Sequence, residues 1–488
     1  SYPSVLVEDS SILEELYEQD GARDSPSNLS VPFTDFAEGT GSCLCMGSTT
    51  FTNGKIMIFA ADSVNSTYGG YDKGLQLYVT DGTLTGTSMI KEINEGGIPV
   101  SQFNSAISHT WHNDVLYFAL DDGIHGKEFW RTDGTEEGTY LIKDIREGEV
   151  GSEPSGFVVW KNHIYFKAMN STTAGYELWK SDGTEDGTAM LKDIYPGDNW
   201  DESSHPGGFK EFKGKLYFSA EDEDHGRELW TTDGTEEGTV LFMDIDSREG
   251  STGFKYGSSP SNFLIFNEFM YFSASNTSGK ELWKTDGTSD GTVCVKDIRP
   301  GSTSSDLDAF TVAGGTLFFR ANDGTHGNEL WKSDGTEDGT YMVKDISSTG
   351  TVSNRIASIG NIVYFGANDG SIGDELWRSD GTEEGTYLVK DIAPGWESSN
   401  PKQMTLIGDR LFFTADDDEA GDEFWISDGT ESGTVMVANI NQNQYDSNPQ
   451  HYTKVGNLIV FQASPSSTNH LFSYDPTDIL YHSNEGMH

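Results

Sequence analysis

Short apolar runs, each bounded by Gly, Asn, Asp or Pro, recur along most of the chain, and no 3.6-residue apolar period lasts beyond about a turn. The pattern therefore predicts strands rather than helices. One stretch shows the unit. Ser155 to Trp160 reads as a first strand, Lys161-Asn162 as a turn and His163 to Ala168 as a second strand. Tyr176 to Lys180 reads as a third strand and Ala189 to Ile194 as a fourth. Neighbouring positions of the second strand are both apolar, which predicts a sheet covered on both faces.

The unit returns every 46 to 53 residues, most clearly from Glu329 to Ile346 (ELWKSDGTEDGTYMVKDI). Its aromatic position holds Tyr78, Trp130, Trp179, Trp230, Trp283, Trp331, Trp377, Trp425 and Phe472. The Asp that follows recurs as Asp81, Asp133, Asp182, Asp233, Asp286, Asp334, Asp380 and Asp428. Four-stranded units of about 40–50 residues repeated along a chain describe a β-propeller. The expected fold is thus all-β, a single propeller of four-stranded blades over residues 51–475, with an arm at 1–50 and a tail at 476–488.

The motif closely resembles the ELWxxDGT-repeat family of secreted or surface-associated proteins. The resemblance covers roughly residues 51 to 475 and implies no general enzymatic role. The first copy departs at Leu77-Tyr78-Val79 and the last at Asp475-Pro476-Thr477. Second and third strands occur nine times but the Val-Lys-Asp-Ile fourth strand eight times. Ser4 to Asp9 resembles the missing strand, so nine blades closed by residues 4–9 are expected, with eight blades plus a hairpin as the alternative.

The DGTxxGT segment reads as the hairpin between third and fourth strands. Its Gly residues would supply positive φ, and its Asp and Thr would accept and donate hydrogen bonds across the turn. The Trp is expected to pack between blades, with Leu on the opposite face of its strand. Such residues need no catalytic explanation.

Charge narrows the partners. Lys and Arg total 31 against 79 Asp and Glu, a formal charge of −48, so nucleic acid and anionic membrane surfaces would be repelled. No run of about 20 apolar residues is present to span a bilayer. Ser1 reads as a processed start, which together with the repeat suggests a secreted or cell-surface protein. Sequons at Asn28, Asn65, Asn170 and Asn276 are candidate glycosylation sites. Cys43, Cys45 and Cys294 are too few for a zinc or disulfide framework.

Loops between second and third strands hold clustered oxygen ligands suited to Ca²⁺. The candidates are Asp122, Asp222, Asp224, Asp323, Asp369, Asp416 and Asp418. None follows the spacing of a calcium-binding loop, and turn capping explains them equally well. His125, His225 and His326 share one position in these loops but lie in different repeats. No nucleophile elbow, H-E-x-x-H pair, P-loop or dinucleotide glycine pattern occurs. The segments that break the repeat are Asn199 to Glu202, Ser247 to Tyr256 and Trp396-Glu397, and they suit glycan stacking or protein contacts.

The function expected from sequence is a non-enzymatic extracellular structural or interaction protein, its acidic propeller serving docking or assembly with protein partners or copies of itself. A calcium-assisted glycan-binding lectin is the first alternative. The second is an enzyme acting on extracellular polysaccharide, with converging carboxylates in the central funnel.

Overall fold

The computed structural model describes residues 49–50, 56–61, 64–65, 70–71, 75–83, 85–93, 108–170, 175–197, 202–251, 253, 255–347, 352–441, 445–464 and 470–476. Among these, the chain forms eight four-stranded antiparallel sheets, one three-stranded sheet and a two-stranded ribbon, Val64–Asn65 with Gly70–Tyr71. Strands follow one another across each sheet in chain order. The sheets are numbered 1 to 9 along the chain. The architecture is all-β and propeller-like. The expected closing strand at 4–9, Asn28, Cys43, Cys45, Trp200 and the tail beyond 476 lie outside the described residues.

Sheet 3 follows its sequence pattern closely. Its strands are Ser155–Trp160, His163–Met169, Tyr176–Ser181 and Ala189–Lys192. The turn Lys161-Asn162 is left-handed at both residues, φ 46° and 60°, the geometry of a tight hairpin. The fourth strand stops at Lys192 instead of reaching Ile194. The Ile194 N–H has left the ladder to bond Glu177.

Sheets stack face to face. From sheet 2 to sheet 9, the first strand of each sheet touches the first strands of its neighbours, so first strands are innermost. Thr49–Thr50 of sheet 1 touches Gln450–Val455 of sheet 9. The core lies between sheets. Trp331 packs on Tyr271, Leu282 and Ile298 of the preceding sheet, while Leu330 faces Val363 and Phe365 of the following one. The Trp and Leu of the motif thus bind opposite neighbours, as expected.

Antiparallel order fixes the two faces. Turns between strands 1 and 2, and the DGTxxGT hairpins between strands 3 and 4, lie on one face. Loops between strands 2 and 3, and the crossings from one sheet to the next, lie on the other.

Candidate functional site

The hairpin face is built for stability. Around Asp334, the carboxylate accepts the Thr336 N–H at 2.8 Å and the Thr336 hydroxyl at 2.7 Å. The Thr336 hydroxyl in turn accepts the Gly339 N–H, and Thr340 donates back to the Thr336 carbonyl at 2.6 Å. The same bonds recur at Asp81, Asp133, Asp182, Asp233, Asp286, Asp380 and Asp428. The Thr336 hydroxyl holds the Asp334 carboxyl below its ordinary range. Only the first Gly matches the expected role: Gly335 has φ +94°, whereas Gly339 is there for space, since a Cβ would sit 2.1 Å from the Asp334 carboxylate. Trp130, Trp179, Trp230, Trp283, Trp331, Trp377 and Trp425 are buried between sheets. With Asp133 to Asp428 committed to turns, none of these repeat residues converges on a common site.

Sequence reasoning missed the Glu of the ELW motif. Glu128, Glu177, Glu228, Glu281, Glu329, Glu375 and Glu423 are all buried. Glu375 accepts the Ile392 N–H at 2.7 Å, the Ser399 N–H at 3.1 Å and the Ser399 hydroxyl at 2.7 Å. Ile392 ends its own sheet and Ser399 precedes the next, so the carboxylate clamps the crossing between them. Ser152, Ser204, Ser258 and Ser447 donate in the same way to Glu128, Glu177, Glu228 and Glu423. Burial pushes Glu177, Glu281 and Glu329 up to about 7, and Glu423 to about 8. The available signal was a Glu on the same strand face as a buried Trp, together with a recurrent Ser-x-Pro ahead of the next strand.

On the opposite face, the acidic loops are capped turns. Asp122 accepts the Ile124 and His125 N–H groups and faces His125 Nδ1 at 2.8 Å. Asp222 with His225, and Asp323 with His326, repeat the pairing. The Asp partner raises each of these imidazoles above its ordinary range. Asp369 accepts from Ser371 and Ile372, and Asp416 from the N–H of Asp418. Asp224 occupies the same loop as Asp222. Among the described residues, no group of three or more His, Cys, Asp and Glu side chains that could hold a metal ion is formed. Asn276 accepts the Ser278 N–H across its turn, Asn170 contacts Met190, and Asn65 lies in the ribbon. Trp396 is 83% exposed and Tyr445 70%. Cys294 is partly covered, and burial pushes its thiol up to about 12.

The same face carries cations that the composition hides. Lys167 sits on the second strand of sheet 3, Arg227 on the third strand of sheet 4 and Lys280 on the third strand of sheet 5. Lys167 lies 5.3 Å from the Tyr176 ring centre. Arg227 donates to the carbonyl of His205 at 3.0 Å, and its nearest carboxylate, Glu221, is 3.9 Å away. The Lys280 ammonium donates to the Ser261 hydroxyl at 2.8 Å. Burial depresses all three, and Arg227 further depresses Lys167. The His205 ring lies tilted against Tyr176, ring centres 5.0 Å apart, and is held low by burial and by Lys167 and Arg227. The flanking sheets differ: Lys127 pairs with Glu153 at 3.5 Å, and Arg320 pairs with Asp308 at 2.6 Å. Sequence offered little warning, because these cations occupy no common motif position.

The sequence matches no family model and no curated protein. Among solved structures, the chain is similar to a puromycin hydrolase at 11% identity and TM-score 0.38, over 80% of this chain and 60% of that one. A Mycobacterium tuberculosis puromycin-hydrolyzing peptidase is similar at 10% identity and TM-score 0.39, over 76% and 57%. Oligopeptidase B from Leishmania major is similar at 12% identity and TM-score 0.42, over 73% and 52%. The chain spans 52–60% of the length of these structures. All three are peptidases, which overturns the expectation of a non-enzymatic docking or assembly module. At these identities and TM-scores the likeness gives the chain none of their activity.

Proposed function

We propose that the chain binds an anionic ligand on its loop-bearing face, beside the innermost strands of sheets 3 to 5. One observation carries this reading. In a chain of formal charge −48, the half-buried cations Lys167 and Lys280 meet no carboxylate within ion-pair distance among the described residues, and Arg227 meets one only at its limit. Burying a cation costs free energy unless something compensates it, and a ligand anion would offset that cost. Partly desolvated Arg and Lys also form the stronger, charge-assisted bonds with oxyanions.

The reading favours a ring of nine blades as the frame of this site. Its support is the run of first-strand contacts, the approach of Thr49–Thr50 to Gln450–Val455, and the packing of Gly82 against Leu458 and Val460.

The test uses a trisulfonated fluorescent dye followed by anisotropy. The full chain should bind it, and a Lys167→Gln, Arg227→Gln, Lys280→Gln variant should bind about tenfold more weakly or worse. A Lys91→Gln, Lys143→Gln control should bind as the parent does, and circular dichroism of both variants should match the parent. Equal binding by parent and triple variant, or none by the parent, overturns the proposal.

A further inference from the structure

We infer that the loop-bearing face holds one compact oxyanion between sheets 3 and 4, on Lys167 and Arg227, and that His205 takes up a proton as the anion binds. This rests on the anion-binding reading above and narrows it to one place.

That place arises where one crossing departs from its neighbour. Between sheets 2 and 3 the residue after the clamp serine is Glu153, which pairs with Lys127 on the third strand of sheet 2 at 3.5 Å. Between sheets 3 and 4 the residue after the clamp serine is His205, and it meets Tyr176 on the third strand of sheet 3. The backbone is the same in both: the Glu153 N–H donates to the Lys127 carbonyl, and the His205 N–H to the Tyr176 carbonyl. An ion pair has thus become a pair of rings. The second strand changes in the opposite sense. Opposite the residue before the motif Trp, sheet 2 has Ala119 and sheet 4 has Ser219, but sheet 3 has Lys167. Sheet 3 has exchanged a neutral pair for a cation.

The cations and the imidazole meet at the Tyr176 ring. The Lys167 ammonium lies 5.3 Å from its centre, and the His205 ring rests against it. From sheet 4, Arg227 donates to the His205 carbonyl at 3.0 Å and to the Ser204 carbonyl at 3.3 Å. Burial holds the imidazole below its ordinary range, and Lys167 and Arg227 add to the effect. Two positive groups beside one base oppose a third positive charge, and an anion between them removes that opposition. Binding and protonation therefore favour each other. His205 is exposed and its ring has no hydrogen-bond partner among the described residues, so the protonated ring is free to donate to the anion. Three donors gathered on one aromatic ring suit a single head with oxygens on several sides, a sulfonate, sulfate or phosphate.

The surrounding carboxylates are engaged elsewhere. Glu221 reaches Arg227 only at 3.9 Å, Glu153 is held by Lys127, and Glu202 on the same crossing acts on Tyr195. Arg146 and Glu153 act on Tyr176 with opposite sign. Glu177, beside Tyr176, is buried and accepts the Ser204 N–H at 3.0 Å and its hydroxyl at 2.6 Å. It titrates at about 7, close enough to His205 that the two must be separated by substitution.

The sign follows from which state holds the proton. The imidazole keeps its proton to a higher pH in the complex than in the free protein. Affinity is therefore greatest below the free value and falls as pH rises from there through the value in the complex.

The experiment measures anisotropy of a trisulfonated dye with no other titratable group, against pH, at about 150 mM salt. Parent affinity should fall at least about fivefold between about pH 5 and pH 8. His205→Asn should reduce that fall to less than about twofold, and Glu177→Gln should keep it. Asn suits the site because Asn400 and Asn448 hold the same place in later crossings at φ 45°, against 42° for His205. Calorimetry in two buffers of different protonation enthalpy should show proton uptake on binding by the parent and none by His205→Asn. Sulfate should displace the dye at an ionic strength where chloride does not. If the parent binds the dye equally at all pH values, the inference falls and the anion site stands. The same holds if the fall survives in His205→Asn, if Glu177→Gln abolishes it, or if sulfate displaces no better than chloride. If the parent does not bind the dye, both fall.

Discussion

A single glycine shows how tightly the repeat is specified. In the segment Asp334-Gly335-Thr336-Glu337-Asp338-Gly339-Thr340, both glycines look like turn residues, yet their reasons differ. Gly335 takes φ +94° and also lies under the Tyr271 hydroxyl of the preceding sheet, 2.1 Å from where a Cβ would be. Gly339 is fixed by the carboxylate folded over it. Gly339→Ala should therefore destabilise the protein by about 2 kcal/mol, through displacement of the Asp334 carboxylate from its Thr336 bonds. Adding Asp334→Ala should recover part of that loss, since the obstruction disappears. Chemical denaturation of the single and double variants checks this, and additive losses would count against it. The conformational role of the first glycine was legible from sequence. The steric role of the second was not, because it depends on where a side chain five residues earlier turns.

At the level of strands and crossings, the sequence pattern located second and third strands well because a strand buried on both faces has a strong composition. It did not show that the Glu beside the Leu-Trp pair holds two sheets together, since an acidic residue in an acidic chain attracts no notice. Its role appears only when the backbone groups it satisfies are counted. Glu375→Ala should cost about 3 kcal/mol, because the Ile392 and Ser399 N–H groups would be left buried without an acceptor and the Ser399 hydroxyl would keep only the Asp374 carbonyl. Glu375→Gln, which keeps one acceptor oxygen, should lose about half as much; sheet 1 already carries Gln76 at this position. Urea unfolding of the two variants measures both. The cations were equally illegible: Lys167 stands on a second strand, Arg227 and Lys280 on third strands, so no motif position announces them. The latches between hairpins are more regular. Lys284 and Lys332 donate to the carbonyls of Gly335 and Gly381 at 2.7 Å. In sheet 8 the equivalent residue is the buried Ile426, and in the ninth copy of the sequence motif Pro476 stands where the Gly would be.

Across the whole molecule the clamps set the response to pH. Burial raises the folded-state values of Glu177, Glu281, Glu329 and Glu423 to about 7–8, above the ordinary 4.5. Between those limits the folded state binds more protons than the unfolded state, so this contribution is fully present below about pH 4.5 and is lost as pH rises through 7 to 8. Self-repulsion of the acidic surface acts in the same direction. The turn carboxylates, held low, act oppositely and weaken the fold only below about pH 4. The thermal midpoint should therefore be higher at about pH 5.5 than at about pH 8.5, and Glu423→Gln should flatten that difference. A midpoint that rises toward alkaline pH would contradict the assignment. The clamps also bear on how such a chain can lengthen or shorten by gene duplication. Each carboxylate belongs to one sheet and its serine to the approach of the next, so a crossover within 393–398 parts the two partners. A crossover in the turn between first and second strands, at Lys161-Asn162 for example, copies carboxylate, crossing and serine together. The unit that can be inherited intact is thus offset by one strand from the unit that the eye picks out as a blade.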